Sequence, residues 1–400
     1  MSVPDVLSPQ ERLVLSLRGL YESYGYARFP MRRFEEYALY LENKSFLTSE
    51  SVLSFTGASG QLMALRPDVT LSIVKRARPE RGQVEKLYYH ESVYRLSPTD
   101  HEFTEIGQLG VELLGEVDLY GACEVLRLAI ESLRLTGAGF VLDISHMGFA
   151  GGLLADAGLD GSQREQAIRL IRQKNAHELA RQLSQWQVAP FYAGRIAQLP
   201  GLCGDFTQTL RRAADIAVGA DMKQAVGELS SLYAALDAMD LCGHVRLDFS
   251  ILNDLDYYNG LVFQGYVEGA PRVALSGGRY DKLMRKFDKA GDGLGFALYL
   301  DQLQRVLARP AGDDVDVLVL YDDIALSPGR LPPRSVVYQE AATQAVNSAR
   351  DEAPGVFRAL EGLRAQGLRV LAAQMPPPGL RAGRTMRYRD GALEEVSGAC

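Results

Sequence analysis

The sequence predicts an α+β protein. Three observations carry that reading. Strand-like runs cluster in residues 52–115 and return after 244. Between them, from about 148 to 240, long helical patterns dominate. The last residues, 313–400, read as a small α/β unit of their own. Strands do not alternate regularly with helices, as a doubly wound sheet would require. The chain of 400 residues is long enough for two or three domains. The expected division is a core of residues 1–312, interrupted by the helical insertion, and a C-terminal domain of residues 313–400.

The elements follow in order. Ser8-Pro9-Gln10-Glu11 reads as a helix start, with Ser8 as N-cap and Glu11 completing a capping box. Leu13, Leu17, Leu20 and Tyr21 then form one stripe, and the helix stops near Gly25. Short β-like runs between Val52 and Val69, broken by TGASG, suggest a hairpin. KLYYHESVYRL (86–96) reads as a strand, and IGQLGVELLG (106–115) returns antiparallel to it. Asp118 opens a helix that runs toward Gly137, and FVLDIS follows as a strand. The insertion contains SQREQAIRLIRQ and DMKQAVGELSSLYAALDAM. Beyond it, HVRLDFS and VALSGGRYDKL read as strands, and LGFALYLDQLQRVLA as a helix. RPAGDD (309–314) is a linker. The C-terminal unit offers the strands VDVLVLY and LRVLAAQ, helical patterns around 341–366, and a hairpin at Asp390-Gly391.

Composition narrows the function classes. A net charge of -7 gives no support for nucleic-acid binding across the whole surface. The basic stretch PPPGLRAGRTMRYRD reads as a solvated loop. Cys123, Cys203, Cys242 and Cys400 stand singly, so neither metal-ligand spacing nor a disulfide framework is present. Reduced thiols, the absence of a signal-peptide pattern and the absence of a long apolar run point to a cytoplasmic protein without a membrane span.

Four segments carry polar groups where a plain core would not. In LRPDVT (65–70), Asp68 and Thr70 share a face if the chain is extended and suit an ammonium group; the same residues equally suit a turn with an Asx-type cap. Arg95 closes the first long strand. In the second, Gln108 and Glu112 flank Gly110 on one face, which could read a heterocycle such as imidazole or be a solvated edge. In LNDLDYYNGLVFQGY (252–266), Asp256 and Tyr258 share one strand face and Tyr257 takes the other. In SGGRYDKL (276–283), Gly277-Gly278 allows close approach of a ligand, with a helix start nearby for an anion, or else makes a hairpin turn.

Taken in this order, the segments resemble histidyl-tRNA synthetase and its relatives among the class II synthetases. LRPDVT is similar to the family's Leu-Arg-Pro-(Asp/Glu)-x-Thr segment, and YYHESVYR through GQLGVELLG to its second class motif. LDYYNGLVF and SGGRYDKL are similar to its two histidine motifs, and GFALYLDQL to its third class motif. The resemblance covers about residues 1–310. It implies an antiparallel class II sheet with flanking helices, and a histidine site made by Asp68, Thr70, Arg95, Gln108, Glu112, Tyr257, Tyr258 and Tyr280.

The departures lie where a synthetase handles ATP. The family's Arg before the Gly-Leu-Asp-Tyr-Tyr run is Asn253 here, and the following Gly is Asp254. Its adenine-stacking Arg is Gln302, within Asp301-Gln302-Leu303. The loop after Arg95 contains no Arg or Lys. If each missing charge is worth about 3 kcal/mol of transition-state stabilisation, adenylation is lost or nearly so. A synthetase fold that keeps its amino-acid site and loses its nucleotide site resembles the regulatory subunits of ATP phosphoribosyltransferase. That resemblance implies no catalytic residues, no metal and no cofactor. It implies a short-form catalytic subunit as partner, histidine as effector, and a homodimeric core within a hetero-oligomer. The competing expectations are an active, divergent histidyl-tRNA synthetase and a paralogue that aminoacylates another substrate; both need ATP chemistry.

Overall fold

The computed structural model describes residues 7–44, 47, 52–80, 82–97, 101–252, 257–307, 315–321, 356–378, 380–389 and 392–396. The chain falls into two compact units, one spanning Leu7–Ala308 and the other containing the described residues after 314. The expected linker 309–314 lies outside the described residues.

The larger unit is organised by a nine-stranded sheet. In chain order its strands are β1 (Ala27–Arg28), β2 (Val84–Leu96), β3 (Phe103–Gly115), β4 (Phe140–His146), β5 (Cys203–Asp205), β6 (Val245–Asp248), β7 (Leu261–Val267), β8 (Leu275–Arg279) and β9 (Asp292–Tyr299). In space they lie β1-β2-β3-β9-β8-β7-β4-β6-β5. The central pairings are antiparallel, and β1 with β2 and β4 with β6 are parallel. A separate three-stranded sheet pairs Leu62–Leu65 with both Phe34–Glu36 and Ser54–Thr56, which includes the hairpin expected around TGASG.

Local chemistry accounts for the framing helices. The first, Pro9–Ser23, has its capping box: Ser8 Oγ accepts from the Glu11 amide at 3.2 Å, and Glu11 accepts from the Ser8 amide at 2.7 Å. Its Leu13, Leu17 and Tyr21 are buried, and the Tyr21 hydroxyl lies 2.9 Å from Ser132 Oγ on the helix Leu119–Arg134. Asp118 caps that second helix through the Gly121 amide at 2.8 Å. Apolar residues on these helices and on the sheet strands form the main core.

The insertion is mostly helical, with Met147–Asp156, Gly161–Arg172, Ala176–Gln185, Pro190–Ile196, Phe206–Ile216 and Ala220–Ala238. It also contributes β5, which pairs with β6 at the end of the sheet. A three-residue strand of sequence Cys-Gly-Asp carries no alternation that could have announced it.

One helix assignment is overturned. LGFALYL is not helical: residues Asp292–Tyr299 form β9, between β3 and β8. A central strand is covered on both faces, so it shows a continuous apolar run that periodicity does not separate from a buried helix. Helical structure begins only afterwards, with the 3₁₀ turn Leu300–Leu303 and the helix Gln304–Leu307.

In the smaller unit, four strands lie in the order Val370–Ala373, Val315–Tyr321, Ala382–Arg389, Ala392–Glu395. A helix at 356–365 covers them through Val356 and Leu360. The basic stretch is therefore not a loop: Ala382–Arg389 is an interior strand whose Tyr388 is buried. The last two strands pair antiparallel as a hairpin, although Asp390 and Gly391 lie outside the described residues. Among the described residues no helix is long and apolar enough to cross a membrane, and no group of three or more metal-ligating side chains occurs.

Candidate functional site

The site begins with LRPDVT. Arg66 is almost wholly buried; it donates to Glu91 at 2.8 Å, to the Ser92 carbonyl at 3.0 Å and to the Arg32 carbonyl at 2.7 Å. The Tyr94 amide donates to the Arg66 carbonyl at 2.9 Å. Those bonds fix the turn against β2 and thereby position Asp68 and Thr70. These two are not on an extended strand, because Thr70 starts the helix Thr70–Arg76. Asp68 takes up the capping role its sequence allowed. Its Oδ1 accepts the Leu71 amide at 2.8 Å as a cap, while its Oδ2 faces Arg95 at 3.7 Å. Burial pushes the Asp68 carboxyl up, against the pull of Arg95. Arg95 is itself anchored by donating to the Pro67 carbonyl at 2.9 Å.

From the helix start, Thr70 Oγ1 donates to Glu112 Oε1 at 2.8 Å, and the Tyr280 hydroxyl donates to Glu112 Oε2 at 2.5 Å. Glu112 sits on β3 and is 2% exposed. Burial raises its carboxyl to about 8, although the bonds from Tyr280 and Thr70 pull the other way. At neutral pH this acid keeps its proton most of the time. Tyr89, Tyr257, Tyr258 and Tyr280 are pushed upward mainly by burial and stay neutral phenols.

Glycines make this crowding possible. A Cβ on Gly295 of β9 would stand 1.9 Å from Glu112 Oε2, and one on Gly293 would stand 2.1 Å from the Tyr280 ring. Gly110, expected to leave space for a ligand, gives it to Tyr89, whose hydroxyl would lie 2.6 Å from a Cβ there. Gly277 and Gly278 are neither a turn nor a bare approach path. Both lie within β8; a Cβ on Gly278 would stand 2.6 Å from the Tyr258 ring, which packs there instead, and Gly277 faces Gly295, Phe296 and Phe263. The nearby helix Asp281–Lys286 opens with an acid that pairs with Arg279 at 3.0 Å, which suits no anion.

Tyr257 and Tyr258 precede β7 rather than lying on a strand, and their rings stand 4.5 Å apart. Freed from strand alternation, both face the same cavity. That cavity, of about 430 Å³, is lined by all eight residues singled out from the sequence: Asp68, Thr70, Arg95, Gln108, Glu112, Tyr257, Tyr258 and Tyr280.

Comparison with known proteins fits this geometry. The histidyl-tRNA synthetase family profile matches residues 3–303. An ATP phosphoribosyltransferase regulatory subunit from Caldanaerobacter subterraneus subsp. tengcongensis is 30% identical, with 73% of this chain and 77% of that protein covered. One from Desulforamulus reducens is 28% identical over 99% of this chain and 97% of that protein. The chain belongs to the histidyl-tRNA synthetase family, in its branch of ATP phosphoribosyltransferase regulatory subunits. A solved structure from Bacillus halodurans C, described as an ATP phosphoribosyltransferase regulatory subunit/histidyl-tRNA synthetase, superposes with a TM-score of 0.68 at 23% identity. It covers 91% of this chain and 88% of that one, and it shows the shared class II fold.

Of the substituted positions Asn253, Asp254 and Gln302, Gln302 is the one that falls within the described residues. Gln302 lies in the 3₁₀ turn after β9 and is not among the cavity residues; its buried Oε1 has no hydrogen-bond partner among the described residues. Asp301 accepts the Gly107 amide at 2.8 Å and so ties that turn to β3. Asn253, Asp254 and Asp256 lie outside the described residues. Sequence reasoning missed Tyr89, Arg172, Gln264 and Tyr299, which also line the cavity. Tyr89 was readable as a residue of the first long strand, whereas Tyr299 fell in the segment misassigned as a helix. Arg172 ends an insertion helix, and nothing in its local pattern separates it from a solvated surface arginine.

Proposed function

We propose that this chain is a non-catalytic regulatory subunit of ATP phosphoribosyltransferase, required by a short-form catalytic subunit and carrying histidine feedback on the first step of histidine biosynthesis. One observation carries the reading. The cavity gathers the acceptors and donors an amino acid with an imidazole side chain needs, with Asp68 for the ammonium and Glu112 for a ring nitrogen. Both acids line the one cavity, so each can take a different nitrogen of one ligand. The relatives' names support the partner, and Gln302, in place of a charged nucleotide contact, supports the loss of aminoacylation. A homodimeric core goes with this assembly; the exposed Phe34 and Phe55, whose rings pack edge to face at 5.2 Å on one side of the three-stranded sheet, offer an apolar patch for it.

Histidine can act as an effector only if it binds one state of the complex better than another. The test is reconstitution with a short-form ATP phosphoribosyltransferase chain, with turnover measured with and without histidine. Activity should require this chain and fall with histidine, and ATP–pyrophosphate exchange by this chain alone should be absent. Activity that ignores both this chain and histidine would overturn the reading. Glu112→Ala and Tyr258→Phe should each relieve histidine inhibition by about tenfold or more while the complex still assembles, since each removes a buried polar contact worth about 1.5–3 kcal/mol.

A further inference from the structure

A second cavity, of about 530 Å³, adjoins the first: Arg172 and Gln264 line both. The second cavity also holds Lys174 and Arg246, but each of these cations is already matched. Lys174 Nζ donates to Asp248 at 2.8 Å, and Arg246 binds Asp143 through two nitrogens, at 2.9 and 3.1 Å. In the first cavity, Arg95 donates to the Pro67 carbonyl and stands 3.7 Å from Asp68. Arg172 is different. It is exposed, and among the described residues its guanidinium has neither an ion pair nor a hydrogen bond. Its backbone is nevertheless well placed. The Lys174 amide bonds the Ile171 carbonyl at 2.9 Å, Lys174 takes a φ of 52° to end the helix Gly161–Arg172, and the Lys174–Asp248 pair pins that corner to the end of β6.

An amino-acid ligand brings three polar groups. Asp68 and Glu112 can receive two nitrogens, but neither supplies a positive charge for a carboxylate, so the third group needs a cation from another direction. We propose that Arg172 is that cation: it forms a carboxylate subsite at the junction of the two cavities, supplied by the insertion rather than by the sheet. The planar fork of an arginine matches a carboxylate through two parallel bonds. The subsite thereby joins the insertion to the ligand held by the sheet. It rests on the histidine reading of the cavity, and a comparison of ligands with and without a carboxylate separates the two.

Binding of histidine and of histidinol, which replaces the carboxylate by a hydroxymethyl group, is measured by calorimetry on the full chain and on Arg172→Met and Arg172→Lys. The unaltered chain should bind histidine at least tenfold more tightly than histidinol. Arg172→Met should lose about 10- to 100-fold for histidine, the range of a charged hydrogen bond, and less than about threefold for histidinol. Arg172→Lys should recover part of the loss. Retained histidinol binding shows that the variant is folded. Histidine methyl ester on the unaltered chain repeats the test without a mutation and should bind at least tenfold more weakly than histidine. Equal losses for both ligands, or undiminished histidine binding by Arg172→Met, overturn the subsite and leave the histidine cavity standing. No histidine binding by the unaltered chain overturns both.

Discussion

Glu112 concentrates the chemistry of this molecule in one side chain. A carboxyl enclosed beside Thr70 and Tyr280, and raised to about 8, is a proton carrier as well as a hydrogen-bond partner. Suppose the bound pair is a Glu112 carboxylate with an imidazolium; it then holds one proton. Below an imidazole pKa of about 6.5 the free partners hold two, so binding releases one and strengthens as pH rises. Between about 6.5 and about 8 the free partners hold one and affinity is level. Above that window they hold none, binding takes a proton up, and affinity falls by up to tenfold per pH unit. Histidine titrations across this range should trace that plateau with two flanks, and Glu112→Gln should make the alkaline flank shallower, leaving only the part set by loss of the ligand's own ammonium proton. A flat profile through pH 9, roughly one unit beyond the window, would show that Glu112 does not pair with the ring. All eight residues that the resemblance grouped together line one cavity, although the residue types in each segment alone also allowed a cap, an edge strand or a turn. The direction of Tyr257 and Tyr258 was not legible, since a turn conformation removes the alternation on which facing is judged.

At the scale of elements, the site is a product of strand glycines. β8 and β9 carry Gly277, Gly278, Gly293 and Gly295, and each leaves room that a neighbouring atom fills. Gly278→Ala should push Tyr258 off its seat. Overpacking of this kind costs about 1–3 kcal/mol, so denaturant melts should show a lower midpoint, and histidine affinity should fall with it. An unchanged midpoint would mean the ring can yield without cost. These glycines also explain why β9 reads as a helix. Glycine followed by an apolar run looks like a capped buried helix, and only pairing with β3 and β8 on either side reveals a central strand. The neighbouring strands β2 and β3 were recognisable because tyrosine, valine and period-two polarity mark them. The antiparallel hairpin near TGASG was readable for a related reason, a turn signal between two short β-like runs.

At the scale of the whole molecule, the cavity belongs to a single compact unit. Every residue that lines it falls within Leu7–Ala308. A chain ended after Ala308 should therefore bind histidine with the affinity of the full chain, within about threefold, as measured by calorimetry; a larger loss would assign the C-terminal unit a part in the site. The overall order of the sheet was only partly legible. Consecutive strands β2 and β3 pair as neighbours, but β9 enters between β3 and β8, and no local signal specifies a partner so distant in the chain. That crossover has a kinetic consequence. Glu112 and Tyr280 are 168 positions apart, and their contact waits for the insertion and four later strands to be placed. Contacts of such long range close late in folding. Histidine should consequently slow unfolding of the subunit in proportion to its concentration and leave the refolding rate almost untouched, a difference that stopped-flow denaturant jumps resolve directly.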